Sequence, residues 1–410
     1  MLVEHVFQKA KVLRYVKENV TITFQEDFVK ILLENLLSSY LPSIIEKLPF
    51  NREIYMLSFT PRRKMENGMK ISPFRVSVCG QDEHSNLIQK ARRKVMAVTG
   101  LVYGEIYLKH YTGVKHPEQP ERLLAILESL KAAKLLDKLF RIEPVSVARS
   151  ILELCHDPGY IDEFRLAAES SRPFFQTHDC PLSPRTFEAA LCAVGGVLKG
   201  ADMVMEGKVE NCFCAVRPPG HHAGRSRAMG FCYFNHIAIA AKYLQAHHSL
   251  ERIAVIDWDV HHGNGTQDIL EEDHTVYYVS FHQDPSTCFP YTGKASETGK
   301  GKGEGYTRNF PVPPGAGIEE YLKAMESVEK AMEKFRPDFV LISAGFDAHI
   351  ADPLAHVNLT REVFEELTRR VKTIAEAHAD GRLVSVLEGG YELKALGESV
   401  AAHIQVLSEG

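Results

Sequence analysis

Runs of apolar, largely β-branched residues a few positions long alternate along this chain with longer stretches in which apolar side chains recur every three or four residues. The first kind occupies residues 212–217, 252–256, 275–280, 338–344 and 382–387, and predicts buried strands. The second occupies 120–133, 184–205, 234–247, 318–335, 360–379 and 393–407, and predicts helices, with Val363, Leu367, Val371 and Ile374 forming one apolar stripe. Strands alternating with helices predict an α/β domain in which a mainly parallel sheet is flanked by helices. Between 293 and 317 the pattern lapses into Gly and Lys, including Lys294, Lys300 and Lys302, which predicts a surface loop.

Residues 1–95 differ from the rest. They carry 16 Lys and Arg against 10 Asp and Glu, whereas the whole chain carries 48 against 53. An apolar helix over 28–45, strands over 53–59 and 74–78, and a basic run at 91–94 are expected there, but no motif with a chemical mechanism. The segment reads as a small N-terminal extension of unknown role, followed by one catalytic domain over 96–410. Packing or homo-oligomerisation is preferred to a nucleic-acid contact, because a basic run is commonly a solvated face.

Composition narrows the class. At 410 residues, 45% hydrophobic and 25% charged, the chain is ordinary globular protein. Its eight cysteines form no paired framework and no Cys-x-x-Cys, which suits a reducing compartment. Without a long apolar span or a leader pattern, a cytoplasmic protein with no membrane partner is expected.

The candidate chemistry sits where the apolar runs end. Residues 252–256 lead into Asp257-Trp258-Asp259-Val260-His261-His262-Gly263-Asn264-Gly265, at the carboxyl end of a predicted strand, where parallel sheets place their ligands. Side-chain alternation in an extended segment sends Asp257, Asp259 and His261 to one side. Residues 338–344 likewise lead to Asp347. Asp259, His261 and Asp347 make a mixed carboxylate and imidazole set suited to Zn²⁺, with an open fourth position that marks a catalytic rather than a structural ion. Two further runs end in Pro218-Pro219-Gly220-His221-His222 and in Glu388-Gly389-Gly390-Tyr391.

These segments, with Gly230-Phe-Cys-Tyr-Phe-Asn235, Gly345-Phe-Asp-Ala-His-Ile-Ala-Asp-Pro353 and His116-Pro-Glu-Gln-Pro-Glu-Arg122, resemble the signatures of the zinc-dependent histone deacetylase family. The wording around Asp257 is similar to the class II and bacterial amidohydrolase branch. The resemblance implies an arginase/deacetylase-like fold and one catalytic Zn²⁺ on Asp259, His261 and Asp347, with Fe²⁺ as an alternative occupant. It implies His222 as general base and then acid, His221 beside it oriented by Asp257, Asn264 facing His222, and Tyr391 as donor to the developing oxyanion. It also implies a structural K⁺ among Asp257, Asp259, His261, Ser280 and the Phe281 carbonyl. Phe231, Phe289 and Gly230 would line the acyl-lysine channel, with Asp179 meeting the substrate backbone. A two-manganese ureohydrolase of the same fold is disfavoured, since Gly263 and His349 stand where its extra carboxylates would be.

Leu354 follows Asp352-Pro353 where polyamine-specific members place a Glu, so an apolar gate favours acyl-lysine. The expected activity is metal-dependent hydrolysis of N-acetyl-lysine or a similar short acyl-lysine, on an acetylated protein or a small acetylated amine. The alternatives are an acetylpolyamine or other small-amide hydrolase and, outside enzymes, an acyl-lysine-binding protein.

Overall fold

The structure, a computed structural model, describes residues 98–170 and 172–409. The expected N-terminal extension, its elements and its boundary lie outside the described residues.

Eight strands form one sheet: β1 (Gly100–Val102), β2 (Phe140–Ile142), β3 (Asn211–Cys214), β4 (Ile253–Asp257), β5 (Val276–Gln283), β6 (Thr307–Val312), β7 (Phe339–Ala344) and β8 (Leu383–Leu387). Their order is β2-β1-β3-β8-β7-β4-β5-β6, and every pairing is parallel. Every residue of β3, β4, β5, β7 and β8 is buried, as expected where helices cover both faces of a sheet. Because these five are neighbours and parallel, their carboxyl ends meet along one edge.

The connections are helical: α1 (Glu121–Ala132), α2 (Arg149–Leu152), α3 (Pro158–Glu169), α4 (Thr186–Met205), α5 (His236–His248), α6 (Asn264–Leu270), α7 (Ile318–Phe335), α8 (Arg361–His378) and α9 (Leu393–Leu407). Helices α1, α9, α8 and α7 pack in series, while α4 packs on α5 and on β1 and β3. The stripe foreseen on α8 is buried, with Phe364 and Ala375 added to it. This is an α/β fold of the arginase/deacetylase kind, a single sheet with helices around it.

Three local expectations change. The 293–317 region contains edge strand β6, whose polar residues and Pro311 hide the strand pattern and are tolerated only at a sheet edge. The run at 212–217 is a strand only to Cys214, because the chain turns toward the prolines. β4 ends at Asp257, so residues 258–262 follow a turning loop rather than an alternating strand.

One ion network ties the sheet edge together. Glu118 and Arg122, both from the His-Pro-Glu-Gln-Pro-Glu-Arg segment, are fully buried with Arg217. Arg217 donates Nε and Nη2 to the Glu118 carboxylate at 2.5 and 2.7 Å, and Arg122 Nη1 donates to Glu118 Oε1 at 3.0 Å. Arg122 then spends Nε on the Gly390 carbonyl at 2.6 Å and Nη2 on the Glu388 carbonyl at 2.5 Å. Burial alone would raise the Glu118 pKa, but the two guanidiniums outweigh it and bring it from 4.5 to about 2.

Removing one partner leaves buried charge without compensation, so Glu118→Ala is expected to cost about 3–5 kcal/mol in denaturant unfolding. Because the folded-state pKa is depressed, the Glu118 contribution is present above pH 4.5 and is lost as pH falls from there toward 2. Stability of the wild type should therefore fall more steeply than that of Glu118→Gln across this window, and equal slopes would contradict the assignment.

Candidate active site

Loops following β3, β4, β7 and β8 bring four charged segments to one place. Asp259 and His261 come from the turn after β4, and Asp347 from the turn after β7. His261 Nδ1 lies 3.2 Å from Asp259 Oδ1 and 3.0 Å from Asp347 Oδ2. The three residues offer ligand atoms within 4.8 Å of one another, and all three are buried. Two carboxylates and one imidazole at this spacing fit one borderline divalent ion. Burial opposes charge on His261, but its hydrogen bonds to Asp259 and Asp347 outweigh that and hold its pKa well above the usual range. Asp347 is pushed up to about 7 by burial and by Asp259. Three groups competing for protons in a dry site are the arrangement that a cation relieves.

Backbone amides aim the carboxylates. Asp259 accepts from its neighbour His261 N at 2.9 Å through Oδ1 and from Gly389 N at 2.7 Å through Oδ2. Asp347 Oδ1 accepts from Val260 N at 2.9 Å. Gly389 must lack a side chain, because a Cβ there would overlap both Asp347 Oδ2 and Asp259 Oδ2.

The histidine pair lies beside this cluster with its rings 4.0 Å apart. His221 Nδ1 is 3.1 Å from Asp257 Oδ2, and Asp257 also accepts from the Tyr278 hydroxyl at 3.1 Å. His222 Nδ1 is 2.8 Å from Asn264 Oδ1, which can only accept, so Nδ1 carries the hydrogen and Nε2 keeps its lone pair. Burial would lower the His221 pKa, but Asp259, Asp257 and Glu388 outweigh it and bring it to about 10. Burial and the charges of His221 and His261 lower His222 well below its usual value. Adjacent imidazoles are thus driven to opposite protonation states.

Glu388 links this pair to the loop that carries Tyr391. Its Oε2 accepts from Gly220 N at 2.7 Å and His221 N at 3.1 Å. Burial pushes its pKa up to about 7, against the opposing pull of His221. Arg122 lies 5.1 Å over the Tyr391 ring. Burial and the nearby carboxylates raise the Tyr391 phenol well above its usual value, which keeps it a hydrogen-bond donor.

Of the residues expected to line a channel, Gly230, Phe231 and Phe289 lie against this centre. Phe231 stands 5.8 Å from Tyr391, and Phe289 stands 5.2 Å from His222, both edge-on. Gly230 and Phe231 both take left-handed backbone angles, φ 57° and 68°, and a side chain at Gly230 would strike the His222 ring. Asp179, expected to meet the substrate backbone, spends Oδ2 on the Gly230 amide at 2.6 Å. Leu354 is 38% exposed. Of the expected K⁺ group, Ser280 and Phe281 lie on β5, where Ser280 pairs with Asp257, and Ser280 Oγ is 2.8 Å from His282 Nδ1.

Sequence reasoning did not find Tyr278, the hold of Asp352 on the Tyr391 amide, or the bracing roles of Glu388 and Arg122. The partners of Tyr278, Glu388 and Arg122 lie on other elements, and no local spacing signals them.

The histone deacetylase domain family matches residues 116–407. The chain belongs to the histone deacetylase family. It is 41% identical over 301 residues to a probable deacetylase of Archaeoglobus fulgidus, covering 72% of this chain and 82% of that protein. It is 39% identical over 280 residues to a histone deacetylase-like amidohydrolase of Pseudomonas aeruginosa, covering 67% and 72%. The crystal structure of the HDA15 HD domain superposes with a TM-score of 0.72 at 36% identity, over 76% of this chain and 88% of that one. This deacetylase-family protein is accordingly an amidohydrolase-type enzyme, and among its described residues no helix is long and apolar enough to cross a membrane.

Because Gly389 admits both carboxylates, Gly389→Ala is expected to weaken divalent-ion binding about 10- to 100-fold. Chelator competition measures this directly, and unchanged affinity would contradict the close approach described.

Proposed function

We propose that this deacetylase-family chain hydrolyses the amide of N-acetyl-lysine, or of a similarly short acyl-lysine, with a single Zn²⁺ held by Asp259, His261 and Asp347. The observation that carries the reading is the place of His222, whose Nδ1 lies 2.8 Å from Asn264 Oδ1 and whose ring stands 6.0 Å from that of His261 in the donor set. When bound, the ion supplies Lewis acidity toward the amide carbonyl and toward water. Fe²⁺ suits the same two oxygens and one nitrogen.

The protein's own groups account for the proton traffic. His222 Nε2 takes the proton of the attacking water, while Asn264 holds the opposite nitrogen in the N–H form. His221 lies beside His222, held through Nδ1 by the Asp257 carboxylate, and fixes the place of the neighbouring ring. The Tyr391 hydroxyl donates to the carbonyl oxygen as it becomes an oxyanion, a contribution worth about 3–4 kcal/mol for donors of this kind. His222 then returns its proton to the departing lysine nitrogen, so that acetate and free amine are released.

Phe231 and Phe289 would grip the methylenes of the substrate side chain. The apolar Leu354 offers nothing to a distal ammonium, which favours acyl-lysine over an acetylpolyamine. A K⁺ beside Asp257 and Ser280 would serve to hold β4 and β5 in register. The seven cysteines among the described residues are free and buried, which suits the cytoplasm.

Acetate release from an acetyl-lysine peptide should exceed that from acetylputrescine and stop with chelator. Faster turnover of acetylputrescine would contradict the reading of Leu354, and binding without turnover would favour an acyl-lysine-binding protein. His222→Ala and Tyr391→Phe should each lower kcat/KM by about 10²- to 10³-fold with metal content and fold retained. Near-normal rates for Tyr391→Phe would refute its role as oxyanion donor.

A further inference from the structure

Tyr391 is gripped from two sides. On one, Arg122 holds the carbonyls of Glu388 and Gly390 and lies over the ring. On the other, Asp352 Oδ2 accepts the Tyr391 N–H at 2.7 Å and the Glu392 N–H at 3.4 Å, while its Oδ1 accepts the Leu354 N–H at 3.0 Å. Asp352 is 7% exposed, and these backbone amides are its hydrogen-bond partners.

A buried carboxylate whose hydrogen-bond donors are backbone amides, with no Lys or Arg paired to it among the described residues, is an expensive way to stabilise a fold. Nor is it needed as a helix cap. The cap of α9 is Glu392, whose own side chain accepts from Ala395 N at 2.6 Å. What Asp352 does is join two segments that lie apart in sequence: the one bearing Leu354, the proposed gate, and the one bearing Tyr391, the proposed oxyanion donor.

We propose that Asp352 is a positioning residue, a single carboxylate that locks the Tyr391 turn to the Leu354 segment so that the substrate gate and the oxyanion donor keep a fixed relation. It touches no reacting atom and acts through Tyr391. The inference deepens the proposed deacetylation, on which it rests for the role of Tyr391. A substitution in the gate segment that disturbs this carboxylate is transmitted to kcat, and not only to the choice of substrate.

The test compares Asp352→Ala and Asp352→Asn in the full chain loaded with metal, each also combined with Tyr391→Phe. With Tyr391 present, Asp352→Ala lowers kcat about 10- to 100-fold and leaves KM within about threefold. Asp352→Asn keeps one acceptor oxygen and loses less, though still more than about threefold. With Phe at 391, neither substitution lowers kcat by more than about a further twofold. Equal losses in both backgrounds, or a loss confined to KM, overturn the proposal. If the Ala variant does not fold, the Asn variant decides by the same criteria.

Amide hydrogen exchange across residues 389–393 reads the hold independently of turnover. Protection falls in Asp352→Asn if the carboxylate locks the turn, and unchanged protection overturns it. A wild type that hydrolyses no acylated amine refutes the proposed function, while the exchange measurement still judges Asp352.

Discussion

Two carboxylates and an imidazole packed together out of water are the constraint from which the rest of this sheet edge follows. Asp259, His261 and Asp347 are buried within hydrogen-bond range of one another, and unpaired charge in such a place is costly. The divalent ion we propose there would offset that cost, and the surroundings leave room for it. Gly389 has no side chain to intrude, and the amides of Gly389, Val260 and His261 turn the carboxylate oxygens. The neighbouring histidines feel the same field. Asp259 and Asp257 hold His221 in its charged form, and that charge helps keep His222 neutral.

The turns that carry these groups are short and lack regular structure, yet they are closely braced. Glu388 reaches from the end of β8 to the amides before His222, Arg122 reaches back to the carbonyls around Gly389, and the Glu118 carboxylate bridges Arg122 and Arg217. Each brace joins a functional loop to a different part of the fold. Rigid sheet strands set the spacing of the loops, and buried side chains of opposite charge set their shape. A centre that depends on sub-ångström placement of proton donors and acceptors needs both.

Much of this was legible in the order of residues because the chemistry falls at strand ends, where hydrophobic runs stop and polar clusters begin. The apolar stripe of α8 and the run that became β7 carry strong periodic signals, and their boundaries agree with the structure to within a residue or so. β6 was missed because an edge strand can carry Arg308, Asn309 and Pro311 without the alternation that betrays a buried one. The turn after Asp257 was read as extended because five residues of loop and five of strand look alike in a hydrophobicity pattern. The grouping of Asp259, His261 and Asp347 could be argued from motif, but the contact of Tyr278 with Asp257 could not, since β5 meets β4 only in three dimensions. The sequence marked Asp352 only as part of a gate motif, and its hold on Tyr391 needed coordinates.

The most direct test is metal stoichiometry combined with K-edge X-ray absorption on protein purified without added metal or chelator. The account predicts one first-row divalent ion per chain, zinc in the first instance, with nitrogen and oxygen scatterers at about 2.0–2.2 Å and no sulfur shell at about 2.3 Å. Substoichiometric metal that cannot be restored by reconstitution, a second ion of equal occupancy, or a sulfur ligand would contradict a site made by Asp259, His261 and Asp347.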